Sequence, residues 1–148
     1  MLTFRTITEQ EFMKTRGHKT RDSQRSKVYK WEKYLLDITS LEPLSEYDSI
    51  ALVEKLWSTY RLDCPPSVYF PDHGKVARGG RTKISLPPWA RNELIVAHET
   101  THSLTDKPEI AWHGPEFVGL ISEMLVKCLG WSPNLICDTT KMFNLEMV

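Results

Sequence analysis

Ala97-His98-Glu99-Thr100-Thr101-His102 is an H-E-x-x-H sequence in a helix-compatible segment, and ten residues separate its second histidine from a third, His113. Positions four apart on a helix share a face, so both imidazoles can reach one metal ion at zinc–nitrogen bonding distance. Glu99 lies about 100° round the wheel from His98. There its carboxylate can touch an activated water without being a ligand. Leu94 and Ile95 flank the direction of His98 and His102, while Asn92, Glu93, Thr100 and Ser103 fall opposite. The histidines are therefore expected to point inward, where two imidazoles need a partner because unpaired buried polar groups are costly. A pattern of five residues also arises by chance, in which case the histidines are satisfied core residues. The spacing favours one bound zinc ion and a water-activating carboxylate.

A catalytic zinc usually takes three protein ligands. His113 is the preferred third, since three of the five histidines fall between positions 98 and 113. Glu123 is the rival. It lies outside the stripe Phe117, Leu120, Ile121, Met124 and reads equally well as a solvent-facing helix residue. Pro115 suits a first helical turn, which places His113 just ahead of a helix N-terminus whose dipole disfavours imidazolium. Glu116 is either a partner for a ligand imidazole or simply an acidic residue suited to that first turn.

Outward from this centre, Val28, Trp31 and Leu35 predict a helix from Asp22 to about Ile38, with Asp22 or Ser23 as N-cap. A second helix is predicted from about Ser45 to Tyr60, with Ile50, Val53, Leu56, Trp57 and Tyr60 on one side, packed against a sheet. Ser67-Val68-Tyr69-Phe70 reads as a strand that stops at Pro71-Asp72-His73-Gly74, and Lys75 to Arg78 as its return. Gly79-Gly80 signals a tight hairpin into Arg81-Thr82-Lys83-Ile84-Ser85-Leu86, with Thr82, Ile84 and Leu86 on one face. After Pro87-Pro88 the histidine helix is expected from Trp89 or Ala90 to about Leu104. Another follows from Pro115 until Gly130, and one short helix lies within Trp131 to Val148.

The chain has 148 residues, suited to one domain with a real hydrophobic core. Residues 1–21, with Arg16, His18, Lys19 and Arg21 close together, read as a loosely ordered arm. Nineteen basic residues balance nineteen acidic ones, so composition points to neither a nucleic-acid nor a membrane partner. Arg78, Arg81 and Lys83 form a small basic edge, which keeps nucleic acid as a lesser reading. No apolar run is long enough to span a bilayer, and Met1 to Thr6 lacks a signal-peptide core; the expectation is a cytoplasmic monomer. Cys64, Cys128 and Cys137 lack C-x-x-C spacing and are expected to be reduced and structural.

His98-Glu99-Thr100-Thr101-His102 followed by His113-Gly114-Pro115-Glu116-Phe117 resembles the SprT-like metallopeptidases, which include Spartan. The resemblance is specific over Ile95 to Gly119 and only architectural over Ser45 to Leu86. It implies an α+β, minimal zincin-like fold, with helices packed on a small three-stranded antiparallel sheet. It also implies that His98, His102 and His113 bind zinc and that Glu99 is the general base. Asp22 to Tyr29, with the length, further resembles the short H-E-x-x-H metallohydrolases of actinobacteria and their phages. There are departures. The loop between the second and third histidines is shorter than in Spartan, and a small non-β-branched or apolar residue usually fills the place of Thr100 or Thr101. No zinc ribbon or DNA-binding tail is visible, so action on DNA-crosslinked proteins does not carry over.

The resulting expectation is a zinc metallopeptidase acting on a peptide or protein laid along a sheet edge, for which Arg81 to Leu86 is the candidate. Tyr69, Arg78 and Arg81 are candidate oxyanion stabilisers, although each also suits an ordinary strand or turn. The alternatives are a regulatory peptidase of the ImmA/IrrE kind, with Glu123 as ligand, and a non-catalytic zinc-containing binding module with all four metal positions filled by protein.

Overall fold

Hydrophobic spacing and turn chemistry resolve into five α-helices and three short strands in a computed structural model whose described residues run from 21 to 148. The expected arm, apart from Arg21, lies outside the described residues. Helix α1 (Arg25–Ile38) buries Val28, Trp31 and Leu35, as their spacing predicts, and Glu32 with them. Its N-cap is Gln24, without a side-chain cap bond; Asp22 and Ser23 do not cap it. Helix α2 (Glu46–Tyr60) starts at Ser45, whose hydroxyl accepts from the Asp48 N–H at 3.0 Å. It buries Val53, Leu56 and Trp57, but leaves Ile50 exposed.

The sheet contains β1 (Ser67–Tyr69), β2 (Arg78–Gly79) and β3 (Lys83–Ser85), in the order β1-β3-β2. It is mixed, and the expected antiparallel sheet is corrected accordingly. β1 runs parallel to β3, with Val68 opposite Ile84, while β2 pairs antiparallel with β3, with Gly79 opposite Ile84. After Phe70 the chain does not turn back along β1; it crosses over and docks β2 on the far side of β3. The strand from Arg81 to Leu86 therefore supplies the sheet's centre, and β2 is the edge beside the histidine helix. Ile84 and Leu86 are fully buried, in keeping with the alternation.

Gly79 has a reason other than the turn. A Cβ there would stand 2.1 Å from the backbone oxygen of Glu99, so the edge strand rests directly on the helix only because the side chain is absent. Positive φ occurs instead at Gly74 and Gly130, the latter just past the end of a helix.

A 3₁₀ turn (Pro88–Ala90) precedes α3 (Glu93–Leu104), which starts later than its sequence suggests because Asn92 caps it, accepting from the Ile95 N–H at 3.0 Å. Helix α3 is central. It packs against α2, α4 (Pro115–Lys127), β2 and β3, and Leu94, Val96, Ala97, Thr100 and Thr101 are all fully buried. Thr100 and Ser103 are thus not on a solvent face. Their hydroxyls donate to the carbonyls of Val96 (2.8 Å) and Glu99 (3.3 Å), and Thr101 donates to Ala97 at 2.7 Å. Such bonds to the preceding turn allow small polar residues to sit in a core without an orphaned donor. Helix α2 packs chiefly on α3 rather than on the sheet.

Helix α5 (Pro133–Met142) closes the core through Trp31, whose indole N–H donates to Thr139 Oγ1 at 2.9 Å. Fully burying each of Trp31, Trp57 and Phe117 contributes about 2 to 3 kcal/mol. Cys64 and Cys137 are exposed and Cys128 half-buried, all as free thiols, so the first two are not core residues. Among the described residues, no helix is long and apolar enough to cross a membrane.

Candidate metal centre

Two segments bring the imidazoles together: α3 carries His98 and His102, and the chain ahead of α4 carries His113. One nitrogen from each lies within 4.8 Å of the others. The Nε2 atoms of His98 and His102 face each other at 3.0 Å. Two nitrogens bound tetrahedrally to one zinc stand about 3.3 Å apart, so this spacing suits a shared ion. The Phe117 ring packs against all three imidazoles, with centroid separations of 4.9, 4.7 and 5.2 Å to His98, His102 and His113. The cluster thus has an apolar floor.

The opposite nitrogens of two of the rings are occupied. His98 Nδ1 pairs with Glu32 Oε2, and His113 Nδ1 with Asp22 Oδ2 at 2.7 Å. Carboxylates placed in this way fix which ring nitrogen carries the proton and turn the other nitrogen toward a metal. His113 Nε2 tests the fit directly: it is buried and has no hydrogen-bond partner among the described residues. A buried imidazole nitrogen converging with two others is the donor set of a transition-metal site. The residues present therefore fit a metal ion.

Electrostatics follow from burial and these partners. Burial by itself would lower the pKa of His98, but the carboxylates of Glu32 and Glu99 outweigh it and hold the ring up to about 9. Burial pushes the Glu99 carboxyl up to about 7, against the attraction of His98 and aided by Glu32. For His113 burial lowers the pKa, and the Asp22 hydrogen bond only partly opposes it. Burial thus favours the neutral form of this ring.

Asp22 also belongs to a tied corner of the fold. The Gln24 amide donates to the His113 carbonyl and to the Glu146 carbonyl, both at 3.1 Å, and accepts from the Glu146 N–H at 2.6 Å. The C-terminal segment continues to Val148, whose N–H donates to the Pro115 carbonyl at 3.1 Å. The start of α1, the His113 loop and the chain's last residues are thus held together.

The cluster and Glu99 line an open cleft of about 990 Å³ between α1 and β2. Glu123 is not there. It is exposed on α4 and accepts from the Tyr60 hydroxyl at 3.4 Å. Glu116 is exposed in the first turn of α4, and the positions beside the imidazoles belong to Glu32 and Asp22. Of the three candidate oxyanion stabilisers, only Arg78 lines the cleft. Arg81 pairs with Asp63 at 2.6 Å and lies over the Trp57 ring, and Tyr69 lies under Lys83. Of the basic edge read from the sequence, Arg78 and Lys83 line the cleft and Arg81 is engaged by Asp63. Tyr29, 5.1 Å from the His113 ring centroid and on the cleft wall, is a site residue that sequence reasoning passed over.

Comparison with family models, with curated proteins and with solved structures finds no match.

Proposed function

We propose that this chain is a metal-dependent hydrolase of the peptidase kind, with zinc as the metal and a minimal zincin-like, SprT-like arrangement of its site. The observation that carries the reading is the convergence of three imidazole nitrogens beside a buried carboxylate in an open cleft. His98, His102 and His113 would hold the ion. When bound, zinc supplies Lewis acidity, bringing the pKa of water to about 7 and polarising a scissile carbonyl.

The remaining roles belong to the chain's own groups. Glu99 takes a proton from the attacking water as its oxygen bonds to the carbonyl carbon, and delivers that proton to the amine nitrogen as the C–N bond breaks. Glu32 and Asp22 hold the His98 and His113 rings in the required tautomer. Phe117 and the buried faces of the rings exclude water from below. β2 offers a sheet edge along the cleft on which an extended peptide can pair. Glu123 lies away from the histidines, which removes the observation that would favour an ImmA/IrrE-like ligand set.

The test is cleavage of a mixed peptide library by the zinc-supplemented chain, read by mass spectrometry. New termini are expected from the wild type and none from Glu99→Gln or after chelation. Cleavage that persists in Glu99→Gln would contradict the assignment.

A further inference from the structure

We propose that the cleft takes an acidic peptide, whose carboxylates are received by two rows of cations on either side of the histidine cluster. The inference rests on the reading of the cleft as a peptide site and adds the class of substrate. On one wall Arg25, Tyr29 and Lys33 follow at intervals of four along α1, so they share a face, and all three are exposed and line the cleft. Arg25 and Lys33 are about 12 Å apart along the axis, nearly the length of four extended residues. The other wall carries Lys75 ahead of β2 and Arg78 on it, with Lys83 on the neighbouring strand.

This concentration is local, because the whole chain carries equal numbers of basic and acidic residues. Four carboxylates also line the cleft, and three of them are hydrogen-bonded. Asp22 and Glu32 hold imidazoles, and Asp106 accepts the Arg81 backbone N–H at 3.0 Å. Glu99 is buried beside the histidines. Lys33, Lys75 and Arg78 pair with no carboxylate among the described residues. By contrast Arg81, which has Asp63, does not line the cleft. Lys33, Lys75 and Arg78 thus face the cleft with their charges available to a ligand. A bound divalent ion would add to the positive potential at the floor. β2 is an edge strand, which favours a polypeptide, able to pair with it, over a nucleic acid.

Rim charges act mainly through encounter and discrimination, and salt screens them. The experiment is fluorescence anisotropy on the full chain as Glu99→Gln, supplemented with zinc, so that binding is read without turnover. Two labelled peptides of equal length are compared, differing only in glutamates or lysines at alternate positions. The glutamate peptide is expected to bind at least about tenfold more tightly at low salt. Combining Lys33→Glu with Arg78→Glu, both exposed, should abolish that preference, whereas Lys141→Glu on α5 should leave it. Equal binding of the two peptides, a preference that survives the double reversal, or tighter binding of a single-stranded oligonucleotide would overturn the proposal. Wild-type turnover is read separately: acidic preference without cleavage sustains the ligand class and counts against the hydrolase.

Discussion

The two sides of α3 are both buried, for opposite reasons. Toward α2 and α4 the helix presents Leu94, Ala97 and Thr101, which satisfy themselves by apolar packing and by hydroxyl bonds to the preceding turn. Toward the cleft it presents His98, Glu99 and His102, with the two imidazoles facing each other at 3.0 Å. His98 takes its partner from 66 residues away at Glu32, and His113 from 91 residues away at Asp22. One side supplies stability and the other holds polar groups in place at a cost to it. Substitutions on the two sides should accordingly separate into effects on folding and effects on metal and turnover.

The largest separation is expected at Glu99. Glu99→Gln should lower turnover by about a thousandfold while zinc content and melting temperature stay near wild type, as read by peptide cleavage and calorimetry. A parallel loss of zinc would mean that Glu99 acts as a ligand. On the other side, Leu94→Ala should destabilise by about 3 kcal/mol in denaturant titration, because Leu94 is fully buried in the core. If zinc affinity fell in proportion, the two sides would not be separable. Glu32→Gln should weaken zinc binding by about 10- to 100-fold in a chelator competition, since it disturbs ring orientation without removing a ligand. An unchanged affinity would reduce Glu32 to a bystander. Smallest is Thr100→Val, which removes a hydroxyl bonded only to the Val96 carbonyl and should cost about 1 kcal/mol or less, with zinc affinity unchanged.

The same contrast explains what could be read from the chain alone. His98, Glu99 and His102 were legible because helical spacing fixes their relation locally, and His113 because three of the five histidines fall between positions 98 and 113. The helices followed from apolar periodicity. Strand order did not, because Pro71 to Gly74 marks a change of direction but not which side of β3 the chain then joins. Gly79 carried the information in a form easily mistaken for a turn, since close approach to Glu99 and a hairpin both call for glycine. Glu32 left a signal of its own: it is an acidic residue in the stripe of Val28, Trp31 and Leu35, and such a residue needs a buried partner. Asp22 left none, because an acidic residue just ahead of a helix already has a capping explanation.

The central claim is that three imidazoles, oriented by carboxylates on and just ahead of α1, hold one metal ion. Elemental analysis of the purified wild type beside His113→Ala and Glu123→Ala tests it most directly. The account predicts about one zinc per chain in the wild type and in Glu123→Ala, and its loss in His113→Ala. A wild type without metal, or loss in Glu123→Ala with retention in His113→Ala, would contradict it.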